Sequence, residues 1–557
     1  MLSDRIRQAK DSYINTMPHI SIDRARIWTE SHQRTEGMAT PIRRAMAFKD
    51  TCQELGVHIF EGELIVGALG EYRKCGVLTP EFSWSWVDRE MDRFAERPQD
   101  PYAIEPEQKA YLREHIFPYW AGKSLEESFL QQVDPEAAKV TVDTSIVDND
   151  SKWRQSVGEI TPDYQEVLFV KGFGGIIQEA RAKLESLSPT KAEDLDKRTF
   201  YRSVILAAEG IICLANRYAD RAEALAKEAS GARRNEFLTI AANCRRVPEH
   251  PPTTFWEALQ FVWFTQLGGI LAENPLAQKL HRDQAPRPFL SATLGACLEN
   301  GRDLVDCGAE YNVGPVITSM GIAVCANALY AIKHLVFDEK TVSAEDLHQA
   351  LEADWAGHEV LRQKILNLPK YGNNIDAVDR IAVKIANHQY EAINSYTDIN
   401  GNAFKSAFMG ISNYLPTGKI LGASPDGRHA RAPISEGVSP YAGTDQSTPL
   451  AAMRSAAKLN QDVHSGGTLM NLRMSPSLVN SPRGRANLGH MIKSFFNLGG
   501  FHVQFNTVSN ETLYAAQKNP ENYRDLLVRV AGYSTQFVNL SRSMQDAIID
   551  RNSHDSF

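Results

Sequence analysis

The segment Phe501-His502-Val503-Gln504-Phe505-Asn506 alternates apolar and polar side chains at every position. Period two marks a strand with one face on apolar packing and the other on a polar site, so His502, Gln504 and Asn506 share the polar face. Helical patterns flank it at Ser509 to Gln517 and Pro520 to Val530, and glycine- and proline-rich turns such as PTGKILGASPDGRHARAP (416–433) precede it. Strands interleaved with helices predict an α/β sheet or barrel in the C-terminal half. From residue 1 to about 250 the texture differs. In Tyr201 to Ala229 and Ala232 to Arg246 apolar residues recur every three or four positions, the spacing of amphipathic helices. The expected fold is therefore α/β, with a helical N-terminal half. The polar stretch TVDTSIVDNDSKWRQSVGEITPDY (141–164) reads as a linker, and no repeat or low-complexity tract is present.

The 557 residues are 43 % hydrophobic and 23 % charged, a composition that excludes disordered and collagenous classes. Sixty Lys and Arg against 68 Asp and Glu give a net charge of −8 with no basic stripe, so no nucleic-acid partner is expected. The seven cysteines (Cys52, Cys75, Cys213, Cys244, Cys297, Cys307, Cys325) are odd in number and form no C-x-x-C pair, which fits neither a disulfide framework nor a zinc ribbon. A reducing cytoplasm is the expected compartment. MLSDRIRQAKDSY at the N-terminus lacks an apolar h-region. The longest apolar stretch, Phe255 to Ala272, is broken by Glu257, Gln260 and Gln266, and reads as a buried core helix rather than a membrane span.

Two short motifs carry chemistry alongside an ordinary structural reading. In EVLFVKGFGGIIQEARAKL (166–184), Gly172, Gly174 and Gly175 precede a helical pattern and could cradle a phosphate, but the third glycine of the dinucleotide fingerprint is missing and a plain turn fits as well. Cys297-Leu298-Glu299 sets a thiol two residues from a carboxylate, an arrangement open to nucleophilic or hydrogen-transfer chemistry. The same ACLENGRD also reads as a helix end turning at Gly301, with a buried structural cysteine.

RVAGYSTQFVNLSRSMQDAIIDR (529–551) resembles the C-terminal signature of the glycyl radical enzymes, the family of pyruvate formate-lyase and the glycerol and diol dehydratases. Arg529, Val530, Gly532 and Tyr533 fall in the motif positions. Further blocks resemble the family in order: NLPKYGN (367–373), GASPDGRHARAPISEGVSP (422–440), SGGTLMNLRMSPS (465–477) and FHVQFN (501–506). Upstream, PHISIDRARIWTESHQRTEG (18–37), GELIVGALG (62–70) and TTFWEALQFVWF (253–264) resemble its N-terminal helical region. The resemblance implies a helical region over 1–275, a remaining barrel region over 276–425 and a radical domain over 426–557.

It also implies that Gly532 stores a radical. A radical on an α-carbon spreads over the flanking amides and needs a flat centre, which a side chain would strain, and glycine permits the tight loop that enters a buried site. An iron–sulfur, S-adenosylmethionine-dependent activating enzyme would install it, with no other bound cofactor and no metal in the chain itself. The substrate would be a small polar molecule whose C–O or C–C bond is cleaved by radical elimination, the assembly a homodimer, and oxygen destructive. The family's Cys-x-Glu loop, which supplies the thiyl radical and the acid/base, belongs to a segment between ILAENP (270–275) and HRDQAPRPFLSATLGACLENGRD (281–303) that this chain lacks. Barrel closure is then in doubt, and Cys297 with Glu299 occupies a different family block. Arg198 and Arg202 lie four apart on one helical face, in a region resembling the substrate-pocket helix of the dehydratase branch. Turned inward they would grip a sulfonate or carboxylate; turned outward they are solvated surface. Two alternatives stay open: a C–S lyase of a hydroxyalkyl sulfonate, and an inactive, internally truncated relative.

Overall fold

The computed structural model describes residues 3–97, 101–136, 162–272, 283–311, 315–398, 400–410, 412–551 and 553–554. The polar stretch at 141–161 and the junction at 273–282 lie outside them. The described residues form two compact units, one ending at 311 and the other beginning at 315.

The first unit is built on one long helix, Ala192–Glu228. Val204, Ala207, Ala208, Ile211, Leu214, Ala215, Tyr218, Ala219 and Ala222 are buried along it at the three-and-four spacing read from the sequence. Small residues on that stripe let neighbours approach: a Cβ at Gly210 would stand 3.0 Å from Cα of Lys49 on helix Thr40–Glu54. Helices Phe169–Ser186 and Gly231–Arg246 pack on its other sides. Strands β1 (His19–Ser21) and β2 (Cys75–Val77) form a separate parallel pair.

Helix Phe255–Ala272 is only half a core helix. Phe261, Phe264, Leu267 and Leu271 are buried, but Phe255, Leu259, Val262 and Trp263 form an exposed apolar stripe on its other side. No described helix is long and apolar enough to cross a membrane.

Two buried arginines hold the edges of the undescribed junction. Arg24 donates from Nε to the Leu271 carbonyl (2.8 Å) and from Nη2 to Glu81 (2.7 Å). Arg44 donates to the carbonyls of Ala272 (3.1 Å) and Pro286 (2.8 Å). Phe289, just beyond, stacks on Phe173 with centroids 5.6 Å apart. These contacts tie 283–311 to the first compact unit.

In the second unit, helices Ile322–Ile332 and Asp376–Asn394 pack against a run of short parallel strands. β3 (Val316–Thr318) pairs with β4 (Lys405–Ala407), and a parallel bridge joins Phe408 to Thr468. β5 (Asn471–Met474) pairs with β6 (Gln504–Asn506), Asn471 opposite Gln504 and Arg473 opposite Asn506. The hairpin β7 (Leu527–Arg529) and β8 (Ser534–Gln536) is antiparallel, and β9 (Ser553–His554) pairs with β5. The architecture is α/β as expected, helical first and stranded later. Among the described residues the largest sheet joins three strands, in the order β6, β5, β9.

Candidate active site at the Gly532 hairpin

Residues 530–533 form the tip of the β7–β8 hairpin, closed by a bond from the Val530 amide to the Tyr533 carbonyl (2.9 Å). Gly532 adopts φ +79°, a left-handed conformation that side chains other than glycine tolerate poorly, and nothing lies within 4 Å of where its Cβ would stand. Its neighbours Val530 and Ala531 are buried in the core of the second unit, whereas Gly532 is exposed. The sequence reading expects this glycine inside a buried site. The hairpin instead carries it outward past two anchored residues.

What anchors the tip is the polar face of β6, as the alternation at 501–506 foretells. Gln504 Oε1 accepts from the Gly532 amide (3.1 Å) and from Arg529 Nε (2.8 Å). The Gln504 amide nitrogen donates to Asn471 on β5 and to the Val530 carbonyl (3.4 Å). Asn506 binds both backbone groups of Arg529, accepting from its N–H (2.7 Å) and donating to its carbonyl (2.6 Å). Two buried carboxamides thus satisfy four backbone groups of residues 529–532, and an unmade bond there would cost more than the bond itself contributes. His502 lies just outside β6, half-buried, its pKa lowered by burial and then by the Arg529 charge.

A second support comes from the chain's last described turn. Arg551, half-buried, donates to the Val530 carbonyl (3.3 Å) and pairs with buried Glu436 (2.7 Å). Burial pushes the Glu436 carboxyl up against the opposing pull of Arg551. Arg473, 1 % exposed, donates to the carbonyls of Val508, Ile549 and Arg551, fixing the turn that presents Arg551. Behind the hairpin these residues, with Tyr414, Asn471 and Asp550, line a cavity of about 250 Å³. Sequence reading missed Arg551 and Glu436: no local spacing links partners more than a hundred positions apart.

The other candidates lie elsewhere. Cys297 and Glu299 sit on the short helix Gly295–Asn300, two residues apart and so on opposite faces. Cys297 is fully buried, its thiol pushed up to about 12 by burial and then by Asp303, while Glu299 is exposed. Arg198 is half-buried and donates to the Leu187 carbonyl (3.3 Å), and Arg202 is exposed. Neither lines the two cavities described in the second unit. Gly172 and Gly174 let a helix start pass tightly over another loop: a Cβ at Gly172 would meet the Glu249 carbonyl oxygen at 2.3 Å. That space is filled by protein, which is the turn reading. Among the described residues no group of three or more His, Cys, Asp and Glu side chains could hold a metal ion.

Comparison with known proteins places this hairpin in context. The chain matches the pyruvate formate lyase-like family model over residues 2–280 and 272–418, and the glycine radical model over 434–538, a range that includes Gly532. It is 24 % identical to the trans-4-hydroxy-L-proline dehydratase of Clostridioides difficile over 790 aligned positions, covering 98 % of this chain and 99 % of the relative. The isethionate sulfite-lyase of Nitratidesulfovibrio vulgaris is also 24 % identical, with 99 % and 96 % covered. Among solved structures, the glycerol-bound B12-independent glycerol dehydratase of Clostridium butyricum superimposes with a TM-score of 0.93 at 26 % identity, covering 100 % of this chain and 99 % of that one. Because the chain has 557 residues, at least 233 of the 790 positions aligned with the hydroxyproline dehydratase have no residue here. The two pieces of the family match meet at 272–280, where the expected segment is missing. Matched through most of its length, the chain belongs to the pyruvate formate lyase-like family.

Proposed function

We propose that this protein is a glycyl radical lyase or dehydratase that stores its radical on Gly532 and acts on a small polar substrate by radical elimination. One observation carries the reading: within the glycine radical match, Gly532 presents an open α-carbon at a hairpin tip whose amide is held by Gln504. Activation would break one Cα–H bond homolytically, the hydrogen atom leaving to a radical generated by an iron–sulfur, S-adenosylmethionine-dependent activating enzyme. The unpaired electron left on Cα spreads over the two flanking amides, which must lie near one plane. Gln504 holds the amide on the N-terminal side, and Val530, tied by Arg551, fixes the strand that leads into it. An exposed tip suits an encounter with a second protein.

Relatives that are dehydratases and a sulfite-lyase support the lyase and dehydratase class, and the named relatives give the inactive reading no support. The sulfonate alternative gains nothing from Arg198 and Arg202. Arg198→Ala and Arg202→Ala are expected to leave KM for a hydroxyalkyl sulfonate no more affected than KM for an uncharged diol, and a rise confined to the sulfonate would restore that role.

The reading is tested by oxygen. Protein activated anaerobically and then exposed to air should yield, by mass spectrometry, a fragment ending at residue 532 or its neighbours, and Gly532→Ala should yield none. Cleavage at another glycine, or equal cleavage in the variant, contradicts the assignment.

A further inference from the structure

The elements on either side of the missing segment leave apolar surface uncovered. Before it, helix Phe255–Ala272 exposes Phe255, Leu259, Val262 and Trp263. After it, β3 is exposed at all three positions, with Val316 41 % and Ile317 42 % accessible.

β3 shows what kind of cover is missing. The Lys405 amide donates to the Pro315 carbonyl (2.8 Å) and the Ser319 amide to the Ala407 carbonyl (2.9 Å), so 315 and 319 face β4. Alternation then turns the N–H and C=O of Val316 and Thr318 to the opposite edge, where no described strand pairs. Beside Ile317 lies an apolar groove of about 350 Å³ lined by Ala392, Ile393, Tyr396 and Phe404. Parallel sheets are stable when covered, and a free apolar edge is a template for another strand.

We infer that this edge is the docking site of a separate α/β polypeptide, which adds a strand parallel to β3 and seats an apolar side chain in the groove. Pairings along β3 to β6 are all parallel, so the added strand continues their direction. In right-handed strand-helix-strand succession, neighbours in sequence are usually neighbours in the sheet. β4, the next strand, holds one edge of β3, which leaves the other edge to the strand before it. In this chain that strand is β2, already paired with β1, and the break in the family match, at 272–280, falls between β2 and β3. A second copy of this chain fits less well. Two β3 edges related by a two-fold axis would pair antiparallel, against the direction of the array.

The inference rests on family membership and not on Gly532. Amide hydrogen exchange on the full chain tests it, using as probe the segment of the Clostridioides difficile trans-4-hydroxy-L-proline dehydratase that faces the gap. In the dilute chain alone, the Val316 and Thr318 amides should exchange freely and Ile317, bonded to β4, more slowly. Adding the probe should slow Val316 and Thr318 by about tenfold or more, as edge pairing does. Ile317→Lys should abolish the slowing while hairpin amides 528–536 keep their protection. As a guard against a probe that does not fold alone, the same segment spliced between Ala272 and Asp283 should give the same slowing. Protection already present in the dilute chain, protection that grows with the concentration of this chain alone, or no slowing in either format overturns the inference. No radical is involved in the readout, so its failure and that of the Gly532 reading are distinguishable.

Discussion

Gly532 combines a positive φ with an open α-carbon, so its replacement by alanine is opposed by backbone conformation alone, at a cost of about 1 kcal/mol. That makes Gly532→Ala a clean variant: it should fold. Gln504 is the side chain that touches Gly532 itself. Gln504→Leu leaves the Gly532 amide and Arg529 Nε without their acceptor, and is expected to loosen the tip by about 1–3 kcal/mol. Faster exchange of the Gly532 amide, with β6 still protected, checks it. At Cys297, burial holds the sulfur as S–H with a pKa of about 12. Iodoacetamide at pH 8 should therefore modify exposed Cys325 in the native protein and spare Cys297 until the chain unfolds. His32 supplies a pH test. It is buried between Trp28 and Trp120, its pKa lowered to about 3 chiefly by desolvation. Between about 3 and 6.5 the unfolded chain binds this proton and the folded chain does not, so stability rises with pH by up to about 1.4 kcal/mol per unit. In denaturant midpoints measured across that window, His32→Leu should flatten the slope.

At the scale of elements, the hairpin β7–β8 is too short to stand by itself, and its position depends on β6 and on Arg551, which both bond the Val530 carbonyl. Arg551→Met would leave the Glu436 carboxylate buried without its counter-charge, a loss of about 3–5 kcal/mol at a pH where Glu436 stays ionised. The sign of the pH response follows. Burial already raises the Glu436 pKa, and removing Arg551 raises it further, so the folded variant holds a proton that the unfolded chain releases. Stability of Arg551→Met should fall as pH rises above the ordinary carboxylate range, and Glu436→Gln in the same chain should cancel the fall. A pH-independent loss in Arg551→Met would contradict this account of the pair. Much of this site was legible in the sequence because alternation is local: six residues at 501–506 are enough to put Gln504 and Asn506 on one polar face. The Arg551–Glu436 pair was not, since it is made by the fold bringing distant turns together. Likewise Cys297 and Glu299 are neighbours in sequence yet back to back on a helix, and only the helix phase, which the short run ACLENGRD does not fix, separates them.

For the whole molecule, the long amphipathic repeats made the helical first unit readable, and the ordered blocks made the family readable through nearly the entire chain. The boundary after 311 was not, because it depends on Phe289 and the Arg44 contacts rather than on composition. Arg44 binds carbonyls on both sides of 273–282 and lies over Phe82 and Trp28, a fork that lysine cannot reproduce. Arg44→Lys should therefore destabilise the first unit nearly as much as Arg44→Ala, by about 2–5 kcal/mol, read from thermal or urea unfolding. A harmless Arg44→Lys would show that charge alone suffices there. The proposed function puts the radical on Gly532 of the second unit. The most direct measurement is electron paramagnetic resonance on anaerobic protein after treatment with an activating enzyme shown to work on a relative of this chain, with Gly532→Ala alongside. Loss of one of glycine's two α-hydrogens leaves a single strongly coupled proton, so the account predicts a doublet in the wild type that the variant lacks. A doublet that persists in Gly532→Ala, or its absence from folded wild-type protein that binds the activating enzyme, would contradict it.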